Sequence, residues 1–221
     1  MTKTLLTIAA GPGMSLSTAR HFAADGYRVV LAARDPKVLR ERLAASGPVD
    51  FEFDTVDASN PQDVAALVAR HAGQLAALHY NAGVLHYDAG GSLQARRLQD
   101  ETVSSLISDL HANVTGALAA IGPAADAIEK NGGGSILLTG GGFGIEPTPD
   151  FLSLSVGKAA LRAAAKALFE PMKARGVHIA MVSVSTLVSP DSRQAEDVAR
   201  AFWHLHAQPR EAWTWETVYA G

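Results

Sequence analysis

Along this chain, short and almost wholly apolar runs alternate with longer stretches whose apolar residues recur every three or four positions. Leu5-Leu6-Thr7-Ile8 opens the series and reads as a buried strand, followed by a turn built mostly from Ala, Gly, Pro and Ser over residues 9–15. The spacing then predicts a helix over 16–25, with Gly26 just past its end as the residue that leaves it. Arg28–Ala33 is a second apolar strand, broken by Arg34-Asp35-Pro36, and Lys37–Ala45 reads as helix. Phe51-Glu52-Phe53 gives a third strand, and Asn60-Pro61 starts a helix with Asn60 as cap and Pro61 in its first turn. Leu75–Tyr80 is the fourth strand, closed by Asn81-Ala82-Gly83, and a polar glycine-rich loop covers 86–94.

Residues 100–130 read as one long helix with a bend near Gly122-Pro123. Ile136-Leu137-Leu138-Thr139 runs as a fifth strand into Gly140-Gly141-Gly142, and a helix follows over 151–175. Val177–Val184 is the sixth strand, residues 196–206 a helix, and residues 213–219 a last short strand. Strands that are apolar on both faces and alternate with helices imply α/β architecture, a single doubly wound parallel sheet with helices on both faces. No repeat, low-complexity tract or linker interrupts the pattern, so residues 1–221 read as one domain. Ligands on such sheets bind beyond the carboxyl ends of the strands, which directs attention to the loops 9–15, 34–36, 54–60, 81–90, 139–150 and 184–192.

Composition narrows the function classes. The net charge is −3, the pI is near 6.2 and no basic stripe is present, which argues against a nucleic-acid partner. The absence of cysteine excludes disulfides, thiolate metal sites and cysteine nucleophiles. His21, His71, His204 and His206 form no metal-like grouping with carboxylates and read as surface helix positions, so no metal is expected. No apolar run reaches bilayer length, so no membrane partner is expected. Lys3 and the apolar run after it resemble an export signal only faintly, since removing them would take away the first strand and turn; a cytoplasmic protein is expected.

Strand, small-residue turn and helix in that order make an anion site, because the turn lets backbone approach a ligand and the helix offers unpaired N–H groups with the positive end of its dipole. A dinucleotide pyrophosphate is the usual occupant, held here by Gly11, Gly13, Met14 and Ser15. A tight turn without ligand, with Ser15 as helix cap, is the plain alternative. The phosphate-loop lysine of nucleoside triphosphatases is missing.

These loops resemble the short-chain dehydrogenase/reductase family over almost the whole chain. The family's T-G-x-x-x-G-x-G motif falls on residues 8–15, with Gly13 matching a glycine and Ala9 and Ser15 replacing the other two. Asp57-Ala58 matches the segment whose aspartate bonds adenine, Asn81-Ala82-Gly83 the segment packed beside the cofactor, Asn113 an asparagine midway along a long helix, and Lys158 the lysine that holds the nicotinamide ribose. The resemblance implies a Rossmann fold, a nicotinamide cofactor, hydride transfer and pairing of the helices over 100–130 and 151–175 in a homodimer or homotetramer.

The second strand ends at Ala33 with Arg34 next, where a carboxylate would select NAD. A guanidinium there can pair with a 2′-phosphate and stack on adenine, so NADP is expected over NAD, although Asp35 lies beside it.

The family's reaction uses a tyrosine four residues before the lysine and a serine about thirteen residues earlier. Here those places hold Leu154 and Gly141, and leucine carries no proton. Ser153, Ser155 and Thr139 are too weakly acidic to copy a lysine-tuned phenol, whereas His86 or Tyr87 could project over the nicotinamide or simply line the pocket. Lys158 and Asn113 are the remaining catalytic candidates; each also has a plain reading, Lys158 holding ribose and Asn113 satisfying backbone at the helix bend. Phe143 and Phe151 read as pocket or core filling, and Trp203, Trp213 and Trp215 as core or subunit contacts. After the sixth strand the segment that covers substrate in relatives is shortened, with Ser189 where a nicotinamide-contacting threonine sits. Two functions remain open: an NADP-dependent oxidoreductase on a small carbonyl or alcohol, or an inactive nucleotide-binding sensor or assembly partner.

Overall fold

A computed structural model describes residues 2–45 and 50–221. Seven strands form one sheet in the order β3-β2-β1-β4-β5-β6-β7: β1 Thr4–Ile8, β2 Arg28–Ala33, β3 Phe51–Thr55, β4 Leu75–Tyr80, β5 Gly134–Thr139, β6 Val177–Val184 and β7 Glu216–Tyr219. Every neighbouring pair is parallel. The helices between them are α1 Met14–Ala24, α2 Lys37–Ala45, α3 Pro61–His71, α4 Val103–Leu110, α5 Gly116–Lys130, α6 Leu152–Ala174 and α7 Arg193–Ala207.

Strand alternation splits the apolar side chains between two cores. Leu6 and Ile8 of β1 point to one face and pack with Val64 and Leu67 of α3, Ala120 and Ile121 of α5 and Leu161 of α6. Leu5 and its neighbour Leu31 point to the other, against Leu16 and Phe22 of α1, Leu39 of α2 and Phe202 of α7. The sheet is therefore covered on both sides, which is why β1, β2, β4, β5 and β6 are almost wholly buried. The strand order reverses direction between β1 and β4, so the crevice lies above the carboxyl ends of those two strands. Among the described residues no helix is long and apolar enough to cross a membrane.

Local signals act as their chemistry requires. Asn60 Oδ1 accepts from the N–H groups of Gln62 and Asp63 at the start of α3. Gly26, at φ +83°, leaves α1 in the left-handed conformation that a side chain would resist.

Three expectations need correction. The N-cap of α1 is Gly13, and Ser15 lies inside the helix. The long helix over 100–130 begins only at Val103, capped by Thr102, and its irregularity is a π turn over His111–Thr115, with the helix unbroken through Pro123. His206 is no surface residue: it packs against Phe22 and Trp203, bonds Ser135 Oγ at 2.6 Å and Tyr27 Oη at 2.8 Å, and burial pushes its imidazole down to about 4.

Close packing just after the π turn explains why Gly116 begins α5. A Cβ there would lie 2.2 Å from the Ala58 carbonyl oxygen and 2.5 Å from Tyr80 Oη, both held firmly in the fold. Tyr80 is fully buried and donates to the Ala112 carbonyl at 2.6 Å, satisfying an acceptor inside the irregular turn. Gly116→Ala is expected to destabilise the fold by about 3 kcal/mol, at the upper end of overpacking costs. A chemical-denaturation midpoint unchanged by that substitution would show that this approach is not tight.

Candidate functional site: the crevice above β1, β4 and β5

The turn after β1 is shaped by two residues. Ala9 sits at φ +57°, a conformation that costs a residue with a Cβ about 1–2 kcal/mol and explains why a glycine suits this place. Ser15 is fully buried; its Oγ accepts from the Gly11 N–H at 2.7 Å and donates to the Gly11 carbonyl at 2.9 Å, so it staples the turn to α1. A Cβ on Gly11 would meet nothing within 4 Å, so the turn faces open space there. Across Gly13 lies the segment after β6, with Val188 O and Pro190 N 3.9 and 4.0 Å from where a Cβ would be. Asp191 ties that segment to Arg42 of α2 and Arg20 of α1. Ser189 is exposed in it, its carbonyl accepting from Ser192 Oγ, while Met14 begins α1 partly buried beneath.

A hydrogen-bond chain joins the strand ends at the centre of the crevice. Thr139 Oγ1, at the end of β5, donates to Asn81 Oδ1 at 2.9 Å, and Asn81 Nδ2 donates to the Ala9 carbonyl at 3.1 Å. With its proton spent on Asn81, the threonine must accept from His79 Nε2, 3.0 Å away, which assigns that imidazole's tautomer. Burial, reinforced by the nearby Lys158 charge, pushes His79 down to about 3, so it stays neutral. Asn81 thus fixes the spacing of β1, β4 and β5 from the segment expected beside the cofactor.

Lys158 rises from α6 between these strand ends. It is 5% exposed, and its Nζ donates to the carbonyls of Ala82 and Thr139, both at 2.7 Å. Burial pushes its ammonium down to about 8. Glycines flank it: a Cβ on Gly83 would lie 3.4 Å from Nζ, and one on Gly141 3.3 Å from Cγ. Gly142 is pressed on Ser185, where a Cβ would lie 2.6 Å from the hydroxyl, so the glycine run after β5 is what lets that loop fit between α6 and the end of β6. Leu154 is almost buried one turn before Lys158.

Asn113 lies in the π turn and is fully buried. Its Nδ2 donates to the Asp109 carbonyl at 3.0 Å, the backbone role expected for it, while Oδ1 finds no partner among the described residues. It packs on Gly157, where a Cβ would lie 2.6 Å from its own. At the other end of the crevice, Asp57 Oδ1 accepts from the Ser59 N–H and hydroxyl, and these bonds, with Arg34 nearby, hold its carboxyl below the usual range. Arg34 itself is exposed just past β2, and Ala58 is nearly buried behind Asp57.

The loop between β4 and α4 contributes a cluster that the sequence does not reveal. His86 Nε2 lies 3.2 Å from Asp109 Oδ2, which also accepts from Ser153 Oγ at 2.7 Å; Asp109 is only 3% exposed. Arg96 reaches His86 Nδ1 at 3.1 Å and the wholly buried side chain of Glu101 at 3.2 Å. Ligand atoms of His86, Glu101 and Asp109 come within 4.8 Å of one another, and the Arg96 guanidinium already supplies the cation at that place. With Arg96 N donating to the Asp150 carbonyl at 2.7 Å, the cluster pins the loop onto the start of α6, where Phe151 stacks on Phe143. Tyr87 is 57% exposed and its backbone bridges Leu93 across the loop. The one hint in the sequence is Asp109, a carboxylate within an otherwise apolar and hydroxylic helix.

The chain belongs to the short-chain dehydrogenase family: the family described as short chain dehydrogenase matches residues 3–208. It is 28% identical over 182 residues to 2,5-dichloro-2,5-cyclohexadiene-1,4-diol dehydrogenase LinX of Sphingobium indicum, covering 80% of this chain and 70% of that protein. A short-chain dehydrogenase from Rhodopseudomonas palustris shares its fold with a TM-score of 0.84 at 22% identity, over 98% of this chain and 97% of that one. A metagenomic short-chain oxidoreductase in complex with NADP gives 0.81 at 20% identity, over 99% and 97%.

Burial of Lys158 has a thermodynamic signature. Its folded-state pKa lies below the unfolded value, so the unfolded chain binds more protons between pH 8 and 10.5, and stability from this group rises with pH across that window. Relative to Lys158→Met, the natural protein is expected to gain about 3 kcal/mol between pH 7 and 10.5, at 1.36 kcal/mol per pKa unit. Urea denaturation of both proteins across that range checks it; a constant difference would mean the ammonium is well solvated.

Proposed function

We propose that this chain is an oxidoreductase that binds NADP(H) and interconverts a small carbonyl compound and its alcohol by hydride transfer. The observation that carries this reading is Lys158, held by the carbonyls at the ends of β4 and β5 within the crevice that opens beside the glycine turn. The residues present fit a dinucleotide. The turn at Gly11 opens to free space, the start of α1 presents the positive end of its dipole, and Asp57 remains ionised to accept from an adenine amino group. Two of the three N–H bonds of Lys158 are used by backbone, leaving one for a ribose hydroxyl.

When bound, the nicotinamide supplies or accepts the hydride. The chain's own residues do the rest. Gly11, Gly13, Met14 and Ser15 hold pyrophosphate, Asp57 and Ala58 border adenine, and Asn81, Ala82 and Gly83 keep the crevice at its width. Ser189 and its segment cover the phosphates, and the pinned loop carrying His86 and Arg96 walls the substrate side in place of a longer cover after β6. The relative named for a cyclohexadiene diol supports a small alcohol as substrate, and the neighbour in complex with NADP supports that cofactor. Leu154 and Gly141, which lack the family's tyrosine and serine groups, favour the second reading of a cofactor-binding protein without turnover. Exposed Val103, Ile107, Leu118 and Val156 on α4, α5 and α6 support a homodimer formed through those helices.

Fluorescence titration with NADPH and NADH tests the cofactor. Both are expected to bind, NADPH more tightly, and Arg34→Ala should weaken NADPH about tenfold, or about 1.4 kcal/mol, while leaving NADH within about twofold. Equal losses for the two cofactors would remove Arg34 from the 2′-phosphate, and no binding of either would remove the proposed function.

A further inference from the structure

We infer that Asp191 is a positioning residue for the coenzyme: its ion pairs with Arg42 and Arg20 hold residues 185–191 down over the turn after β1 and so set how long a bound dinucleotide stays. The inference rests on the reading above that this crevice takes a nicotinamide dinucleotide, and it names what retains that ligand.

The segment is fastened at its two ends. The Ser185 N–H donates to the Tyr219 carbonyl at 2.8 Å, beside the end of β7. Ser192 caps α7, its Oγ accepting from the Ala195 N–H at 3.1 Å and donating to the Ser189 carbonyl at 2.7 Å. Between these points the chain crosses the start of α1, where Val188 O and Pro190 N stand 3.9 and 4.0 Å from the place of a Cβ on Gly13. Among the described residues, no backbone hydrogen bond joins residues 186–190 to the turn below. Val188 packs onto the core shared by α1 and α2, while Leu187, Ser189 and Pro190 around it are exposed.

Asp191 supplies a hold of another kind. Its Oδ2 accepts from Arg42 Nη1 at 2.5 Å and its Oδ1 lies 3.9 Å from Arg20 Nη1, so one carboxylate meets guanidinium groups from α2 and from α1. Asp191 also keeps φ +55°, a left-handed conformation that a glycine takes freely and a side chain resists. A charged residue kept at a backbone position that favours glycine points to a use for its carboxylate. That use is not strength of the fold: the three side chains are 38%, 41% and 59% exposed, and ion pairs so well wetted add little to stability. What the pairs fix is where a short segment rests. A dinucleotide leaving the crevice lifts that segment, and lifting it separates the charges.

The experiment loads the whole protein with NADPH, mixes it with excess NADP+ in a stopped flow, and follows the fluorescence of the bound coenzyme as it leaves. Asp191→Asn keeps the shape of the side chain and tolerates the left-handed backbone. It is expected to release NADPH about fivefold faster, with the association rate changed less than about twofold and the urea midpoint unmoved. Arg42→Gln is expected to give the same acceleration, and the double variant to release NADPH no faster than either single one, because each removes the same contact. Raising NaCl from about 0.05 M to about 0.5 M should speed release from the natural protein more than from either variant. Arg42→Gln leaves the backbone at residue 191 untouched and carries the test if Asp191→Asn fails to fold. Release within about 1.5-fold of the natural rate overturns the inference, as do effects that multiply in the double variant. Either result leaves the coenzyme site standing; a natural protein that binds no NADPH overturns the proposed function itself.

Discussion

One buried ammonium sets the terms of this structure. Lys158 is almost removed from water, and a lone charge there would be costly without the two carbonyls that accept from it. Those carbonyls belong to Ala82 and Thr139, so satisfying the lysine also fixes where β4 and β5 end relative to α6. The same Thr139 orders Asn81, which reaches Ala9 at the end of β1. Three strand ends, a helix and the turn after β1 are thereby held in one network, and the crevice is what that network leaves open.

Function and stability oppose each other at this point. The carbonyls offset the cost of burying the charge only in part, as the lowered pKa of the ammonium records. A group that weakens the fold is retained where it faces the crevice, the pattern expected when a residue serves binding or chemistry. Ala9 repeats the pattern on a smaller scale, its positive φ kept by the turn it belongs to.

The sheet and most helices were legible because a parallel sheet covered on both faces forces its central strands to be almost wholly apolar, as in Leu75–Tyr80, where the buried His79 bonds Thr139 through Nε2. The π turn was not legible, since the contacts made beside it, Gly116 against Ala58 and Tyr80 and the Tyr80 hydroxyl on the Ala112 carbonyl, join residues far apart in the chain. Ser15 looked like a cap because its type and place suit one, yet Gly13 took that role and left the hydroxyl to staple the turn. In the site, motif positions such as Asn81, Asn113 and Lys158 could be read in order along the sequence. The cluster of His86, Arg96, Glu101, Asp109 and Ser153 could not, because its members are assembled by a loop whose path no local spacing encodes.

A crystal structure grown with excess NADPH examines the whole account at once. The dinucleotide should lie across the ends of β1 and β4, with a nicotinamide-ribose hydroxyl within hydrogen-bonding distance of Lys158 Nζ and phosphate oxygens at the start of α1. A crevice closed by the protein's own Leu187, Val188 and Pro190, with coenzyme absent or bound elsewhere, would contradict it.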